Sequence, residues 1–212
     1  MRHGEVDGNS TQAGGRLTFA GWVDKPLTAR GETQAQAVAK RFEREKLEAI
    51  YSSDLSRARR TAELIAQPHK LEVRVESAFR ELSYGVWEGL GLEEIERDWL
   101  ETWRARQADA ENVAPPEGEN YADLWRRLEP AWESLVNGFG KEANVVLVAH
   151  NGTIRTLICH LLGAPVNNLK RIQTSNCGVT LVEIAREANI EYSMCDEVVL
   201  RYINDTQHLD EI

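Results

Sequence analysis

The hydrophobic positions of this chain switch several times between the spacing of a helix and that of a strand. The first helical stretch follows Thr28, a residue type that favours the N-cap position. Its apolar residues share one face at i, i+3, i+4 and i+7 spacing: Ala35, Val38, Ala39 and Phe42. The stretch DLSRARRTAELIAQ predicts a second helix, whose inner face is formed by Ala58, Thr61, Ala62 and Ile65.

Short apolar runs between and after these helices predict strands. LEAIYSS reads as a short buried strand, and LEVRVES alternates polar and apolar positions. ANVVLVAHNG holds an apolar, β-branched run of the kind that is buried on both faces of a sheet. TIRTLICHLLG continues it as a helix that Gly163 ends. Two further strands are expected within GVTLVEIA and YSMCDEVVLRYIN.

Strands that alternate with helices favour a three-layer α/β fold, with a mostly parallel central sheet and helices on both faces. Acidic helices that carry tryptophans are predicted at 91–107 and 121–137, separated by the turn-rich APPEGEN. We expect these helices to form a cap over the sheet, inserted at about 91–137. The whole chain, 1–212, is predicted to form a single domain with this cap.

Composition and charge narrow the function classes. A chain of 212 residues with a net charge of -9 has room for one sizeable core and is a poor binder of nucleic acid or membrane surfaces. Its three cysteines are far apart and form no CxxC pair, so neither a disulfide framework nor a metal site is predicted. There is no apolar run long enough to span a membrane and no leader sequence. These features predict a reduced, cytoplasmic protein.

Polar residues directly follow four strand-like runs or open the chain: RHGE, SSDLSRAR, RELSYGVWEG and AHNGTIR. Ligands of open α/β sheets bind outside the carboxyl ends of the strands, so these stretches are the candidate site. Each also has a plain structural interpretation. RHGE resembles a charged N-terminal tail, RARR a solvated helix face, His150 a hydrogen-bonded core histidine, and Glu81 a surface carboxylate.

These stretches occur together, and in the same order, in the histidine phosphatase superfamily, the group of cofactor-dependent phosphoglycerate mutases and small-molecule phosphatases. This sequence resembles that family over almost its whole length, and the match rests on an ordered set of motifs. They are RHGEVDGN, GWVDKPLTARG, YSSDLSRARRTAELIA, RELSYGVWEG, PPEGEN, VVLVAHNGTIRTL and NDTQHL.

The resemblance implies a catalytic role for three residues: His3 as the nucleophile that becomes phosphorylated, Glu81 as the proton donor, and His150 beside the phosphoryl group. It implies a phosphate pocket lined by Arg2, Arg57, His150 and Asn9. No cofactor and no metal are expected. Glu88 and Glu119 are assigned orienting or structural roles, and the remaining histidines are interpreted as structural or surface residues: His69, His160 and His208.

The chemistry of these residue types is consistent with phosphoryl transfer. A neutral imidazole at His3 can attack phosphorus and leave again in a second step. Arginine side chains bind phosphate bidentately and stay charged at every working pH. His150 would contribute most if it were protonated beside the phosphate. Glu81 would give a proton to the leaving alkoxide and then take one from water.

Two stretches depart from the family pattern. The family has an apolar central strand before RHG, whereas only Met1 precedes Arg2 here. We therefore expect residues upstream of Met1 to supply that strand, since a sheet without it would expose unpaired backbone groups. The segment STQAGGRLTFA between Asn9 and Gly21 is longer than its family counterpart, so no site residue is assigned within it.

Three functions remain open. The first is hydrolysis of a small phosphorylated metabolite, such as α-ribazole phosphate or a sugar phosphate, through a phosphohistidine. The second is a phosphoglycerate mutase, which is less favoured because mutases of the family usually carry a longer insertion. The third is a binder of phosphorylated ligands without catalysis. The sequence does not decide the oligomeric state, and a homodimer stays open.

Overall fold

The computed structural model describes residues 1–8, 17–185, 197–210 and 212. Within these residues the helices are α1 (Ala29–Phe42), α2 (Ser56–His69), α3 (Leu92–Asp98), α4 (Leu100–Ala108), α5 (Tyr121–Asn137) and α6 (Asn151–Leu161). The strands are β1 (Ala49–Ser52), β2 (Val73–Val75), β3 (Val145–Val148), β4 (Val179–Ala185) and β5 (Glu197–Asp205). Short 3-10 turns occupy Ser77–Phe79, Gly85–Trp87, Val166–Arg171 and Gln207–Leu209.

The strands form a parallel sheet and an antiparallel pair. The parallel sheet has the order β2-β1-β3, with Ile50 of β1 opposite Val73 and Val146. Strands β4 and β5 pair antiparallel. Helices flank the parallel sheet, so the predicted mixed α/β fold is confirmed. None of the helices in the described residues is long and apolar enough to cross a membrane.

The first three residues pair with the sheet on both sides. Arg2 forms a parallel bridge with Ala149, directly after β3, and the His3 amide donates to the Ala149 carbonyl at 3.1 Å. On the other side the Cys177 amide donates to the Arg2 carbonyl at 3.1 Å, just before β4. This pairing brings the RHG segment beside the residues that follow β3. The expectation of an upstream strand stays a prediction.

Two apolar layers enclose the sheet. On one side α1 and α2 pack against it, with Val38, Ile50 and Ile65 fully buried. On the other side α5 and α6 pack through Leu128, Trp132 and Leu157. The periodicity of α1 and α2 arises because their apolar residues must all face the same sheet. From the sequence, the helix at 121–137 is placed in the cap. In the structure this helix, α5, packs against α6 in the second of these two layers.

The predicted helix at 91–107 is broken into two. Trp99 has the non-helical backbone angles φ −137° and ψ 37°, and it separates α3 from α4. The break lets Trp103 pack edge-on against Trp87 and Phe19, with ring centroids 5.9 and 6.0 Å away. Aromatic pairs favour such edge-to-face contacts. This aromatic cluster ties α4 to the loop that precedes α1.

The RHGE segment lies against the start of α1. Thr28 caps α1 by accepting from the Gly31 amide, and its hydroxyl also donates to the Glu5 carboxylate at 3.0 Å. The Glu5 amide donates to the Gln34 side chain at 2.9 Å. Gly31 is required at this approach because a Cβ there would lie 2.9 Å from the Glu5 amide nitrogen and still closer to its carbonyl oxygen. The segment that carries His3 is therefore part of the folded core.

Candidate active site

His3 is buried and its tautomer is fixed. Its Nδ1 lies 2.6 Å from the Gly4 carbonyl oxygen, which only accepts hydrogen bonds, so Nδ1 carries the proton and donates it. Nε2 is then the basic nitrogen with a free lone pair. Burial, followed by the charges of Arg57 and Arg2, holds the pKa of His3 well below its ordinary value. A neutral imidazole with an available Nε2 is the form that a nucleophile requires.

His150 faces His3 from the residue that precedes α6. The two ring centroids are 5.0 Å apart, and the rings are tilted by 58°. The Nε2 of His150 lies 2.7 Å from the Ser53 hydroxyl, whereas its Nδ1 is buried without a hydrogen-bond partner among the described residues. Burial, followed by the nearness of His3, Arg57 and Arg2, lowers the pKa of His150 well below its ordinary value. Without phosphate this imidazole is neutral, unlike the protonated form that the sequence argument favours.

Two arginines lie next to the histidines. Arg57 is 1% exposed and donates to the carbonyls of Gly21 and Val23 at 2.7 and 2.9 Å. Arg2 donates to the Thr174 carbonyl at 2.8 Å, and its Nε is buried without a hydrogen-bond partner among the described residues. Arg60, by contrast, is on the outer side of α2 and pairs with Glu32. The run RARR therefore contains one inward arginine, Arg57, and two outward ones, Arg59 and Arg60.

Glu81 is held at the start of α6. Its carboxylate accepts from the Gly152 amide at 2.9 and 3.1 Å and from the Leu82 amide at 2.9 Å. The Gly152 amide is one of the donors that the first turn of a helix leaves free. A Cβ at residue 152 would lie 2.5 Å from the Glu81 carboxylate, so glycine is needed for this approach. The carboxylate thus lies beside Gly152, two residues after His150.

Side chains around Glu81 fix the surrounding loops. Arg127 donates to the Glu81 carbonyl at 2.8 Å and forms an ion pair with Glu119 at 2.9 Å. The Trp22 indole also donates to the Glu81 carbonyl, at 2.7 Å. Glu88 accepts from the Trp22 amide at 2.9 Å and so holds the loop whose carbonyls bind Arg57. Glu88 and Glu119 are accordingly placed to orient neighbouring segments.

The structure brings together five of the six residues that the sequence singled out, namely Arg2, His3, Arg57, Glu81 and His150. Asn9 lies outside the described residues. Sequence reasoning missed Ser53, Gly152 and Arg127. Ser53 and Gly152 do stand in the quoted stretches SSDLSRAR and AHNGTIR, whereas no pattern in the sequence singles out Arg127.

The described part of the candidate site shows no cluster of metal ligands. Across residues 1–8, 17–185, 197–210 and 212, no group of three or more His, Cys, Asp or Glu side chains is placed to hold a metal ion. Cys159 and Cys177 are buried free thiols. Burial raises the pKa of Cys177 to about 12, so this thiol, which adjoins the Arg2 backbone, stays protonated.

Fold and site together define the class of the protein: an α/β protein whose strand ends hold two facing imidazoles among arginine side chains. Comparison with known proteins agrees with this description. Residues 1–196 match the histidine phosphatase superfamily (branch 1). The probable phosphoglycerate mutase GpmB of Yersinia enterocolitica is 32% identical over 211 residues, which cover 99% of this chain and 93% of that protein.

Solved structures with the same fold include several phosphatases. Mycobacterial hydrolase 1 superposes with a TM-score of 0.84 at 31% identity, over 97% of this chain and 96% of that chain. Mycobacterial glucosyl-3-phosphoglycerate phosphatase, solved with VO3, gives 0.82 at 31% identity over 97% and 96%. The α-ribazole phosphatase from Shigella flexneri gives 0.80 at 25% identity over 97% and 94%. The chain belongs to the histidine phosphatase superfamily, as its motifs predict.

Proposed function

We propose that this protein is a phosphomonoester hydrolase that forms a phosphohistidine on His3. The observation that carries the proposal is the state of the His3 ring, which is neutral and has its Nδ1 proton bound to the Gly4 carbonyl. Nε2 is thereby left as the nucleophile, among the positive charges of Arg2 and Arg57. Cations fixed at that place stabilise the charge on a transferring phosphoryl group.

The reaction has two steps. In the first, the Nε2 lone pair of His3 forms a bond to phosphorus, the bond from phosphorus to the ester oxygen breaks, and the leaving alkoxide takes a proton from Glu81. In the second, water attacks the phosphorus, the bond to Nε2 breaks, and the Glu81 carboxylate takes a proton from that water. Arg2, Arg57 and His150 bind the phosphoryl oxygens, and Asn9 is proposed to join them.

The same site chemistry allows a second function, transfer of the phosphoryl group to another hydroxyl instead of water. The curated relatives are named probable phosphoglycerate mutases, which favours this alternative, whereas the solved phosphatase structures favour hydrolysis. The two functions share the phosphohistidine and differ only in the acceptor. Product analysis therefore distinguishes them.

Release of inorganic phosphate tests the proposal. The panel contains p-nitrophenyl phosphate, α-ribazole phosphate, 3-phosphoglycerate and several sugar phosphates, each assayed with EDTA. We expect release that EDTA does not stop, that is lost in His3→Ala, and that persists in the control His69→Ala at the far end of α2. Interconversion of 2- and 3-phosphoglycerate without release would instead establish the mutase. Full release by His3→Ala would refute a phosphohistidine at this residue.

A further inference from the structure

The motif NDTQHL has no role in the reaction proposed above, and its asparagine occupies an irregular position in the fold. Asn204 lies near the end of β5, where the pairing with β4 shifts its register. Two residues of β5, Ile203 and Asn204, stand there against one residue of β4, Thr180. Such a β-bulge bends the strand and can turn a side chain toward a functional site.

Asn204 adopts a backbone conformation that few residue types tolerate. Its φ is 56°, in the left-handed region, where asparagine is accepted more readily than most other residues with a Cβ. The Asn204 amide donates to the Thr180 hydroxyl at 3.2 Å. The side chain binds outside the β4–β5 pair, in the loop Thr174–Gly178 that precedes β4.

Both polar atoms of the Asn204 side chain bind Ser175 in this loop. Oδ1 accepts from the Ser175 amide at 2.6 Å, and Nδ2 donates to Ser175 Oγ at 3.1 Å. Because one carboxamide binds both the backbone and the side chain of Ser175, it fixes the position of that residue. The loop Thr174–Gly178 is thereby tied to the end of β5.

The same loop holds the guanidinium of Arg2. The Thr174 carbonyl, directly before Ser175, accepts from Arg2 Nη1 at 2.8 Å. Arg2 Nε is buried and has no hydrogen-bond partner among the described residues. The loop thus holds one nitrogen of the guanidinium and leaves another for a phosphoryl oxygen.

The loop also binds the backbone of the nucleophile. Asn176 Nδ2 donates to the His3 carbonyl at 3.0 Å, and the Cys177 amide donates to the Arg2 and His3 carbonyls at 3.1 and 3.3 Å. The hydrogen bonds of Asn204 described above go to Ser175 and Thr180, so its influence on the site passes through the loop.

The loop has a second anchor on the side of α6. The Thr174 hydroxyl donates to Asn151 Oδ1 at 2.5 Å, in the first turn of that helix. Without the Asn204 side chain the loop would still be attached there, so we expect the Thr174 carbonyl to shift while the fold is kept. Small displacements of groups that position a reacting centre are costly in rate.

We propose that Asn204 is a positioning residue for Arg2: it holds the loop whose Thr174 carbonyl orients the guanidinium toward the phosphoryl group. This inference rests on the proposed phosphomonoester hydrolysis. It gives the NDTQHL segment a role in the phosphate pocket, while contact with the phosphoryl group remains with Arg2.

A double-mutant cycle between Asn204 and Arg2 tests this inference. Asn204→Gly removes the carboxamide and keeps a residue that accepts a φ of 56°. Arg2→Lys keeps the positive charge without the planar fork that can bind Thr174 and phosphate together. For the wild type, both single variants and the double variant, kcat/KM is measured with p-nitrophenyl phosphate. The dissociation constant of inorganic phosphate is measured by calorimetry.

Asn144→Gly is the matched control, because it removes an asparagine side chain just before β3 whose Nδ2 donates to the Lys46 carbonyl at 3.1 Å. Asn204→Asp tests rescue, because it keeps an oxygen that can accept from the Ser175 amide. Urea unfolding of each variant identifies conditions in which all of them are folded.

We expect Asn204→Gly to lower kcat/KM and weaken phosphate binding by about fivefold to fiftyfold, since two hydrogen bonds are lost. In the Arg2→Lys background the same change should cost less than about twofold. Asn204→Asp should recover most of the loss, and Asn144→Gly should behave like the wild type. Equal losses in both backgrounds would indicate a purely structural role and overturn the inference, as would an unchanged Asn204→Gly.

If Asn204→Gly does not fold, Ser175→Ala takes its place in the cycle. It removes the partner of Asn204 Nδ2 and leaves both backbones intact. A smaller loss, about twofold to fivefold, should then appear in the wild-type background and vanish with Arg2→Lys. A loss of the same size in both backgrounds, or none in either, would overturn the inference.

A wild type that is inactive on every ester, p-nitrophenyl phosphate included, would refute the hydrolase and leave the role of Asn204 to be judged separately. The phosphate dissociation constants of the same cycle then decide. Weaker binding in Asn204→Gly that depends on Arg2 supports the positioning role. Weakening that is independent of Arg2, or a wild type that binds no phosphate, overturns it.

Discussion

The two facing histidines make the stability of the fold depend on pH. In the folded protein the pKa of both His3 and His150 lies well below the ordinary value, first because both rings are buried and then because of nearby positive charge. In the unfolded chain each imidazole titrates near its ordinary pKa of about 6.5. Below that pH the unfolded chain binds protons that the folded protein does not. The free energy of unfolding must therefore fall as the pH falls below this value, and it is fully retained above it.

The size of the effect follows from proton linkage. Each imidazole that is charged only in the unfolded chain contributes about 1.4 kcal/mol per pH unit. One unit below the unfolded pKa, the two rings together remove about 3 kcal/mol. Domains of ordinary stability have about 5 to 15 kcal/mol in total, so the loss is a large fraction of what holds the protein folded.

Urea unfolding at about pH 7.5 and about pH 5.5, at constant ionic strength, measures this loss. The double variant His3→Gln, His150→Gln is the reference because every other titrating group is common to both proteins. Between the two pH values, we expect the free energy of unfolding of the wild type to fall by about 3 kcal/mol more than that of the double variant. For each single variant, the extra fall relative to the double variant should be about half as large. Equal losses in all four proteins would show that the imidazoles accept protons in the folded state, and the reasoning would be wrong.

Three further outcomes are expected. Glu81→Gln should lower hydrolysis of alkyl phosphates by about 10²- to 10⁴-fold, and less for p-nitrophenyl phosphate, because a good leaving group needs no proton; full turnover on an alkyl phosphate would exclude Glu81 as the acid. Ser53→Ala should lower kcat and shift the pH profile, because the His150 ring loses its partner at Nε2; Ser53→Thr keeps a hydroxyl and should restore the profile. Gly31→Ala should destabilise the fold by about 1 to 3 kcal/mol in urea unfolding, because its Cβ overlaps the Glu5 backbone. The control Gly140→Ala, whose Cβ would meet none of the described residues within 4 Å, should change the free energy of unfolding by no more than about 0.5 kcal/mol.

Much of the fold could be predicted because periodicity reports which face of an element is buried. The α1 stripe and the apolar run of β3 each predict an element, and the structure contains both. The break at Trp99 could not be predicted in this way. It depends on the packing of Trp103 against Trp87 and Phe19, residues that lie far apart in the sequence. Tertiary contacts of that kind override local helix preference.

In the candidate site, too, local motifs could be predicted from the sequence, whereas features that depend on tertiary contacts could not. Motif order identifies the family and singles out His3 and His150, and the comparisons confirm the family. Their functional roles stay predictions, as does that of Asn9. The charge state of His150 depends on burial and on neighbouring cations that only the folded structure brings together. Arg127 escaped notice because three of its hydrogen bonds are to backbone carbonyls, which leave no trace in the sequence.

The hydrogen bond between Glu81 and the Gly152 amide has an evolutionary consequence. It joins the proposed proton donor to the helix that begins just after His150, so both groups belong to one rigid unit. The segment that holds α3 and α4 contributes neither partner of this bond. Substitutions there can accumulate and redirect substrate choice without disturbing bond cleavage. Descendants of one ancestral sequence could therefore diversify in what they accept while inheriting the same way of breaking the ester.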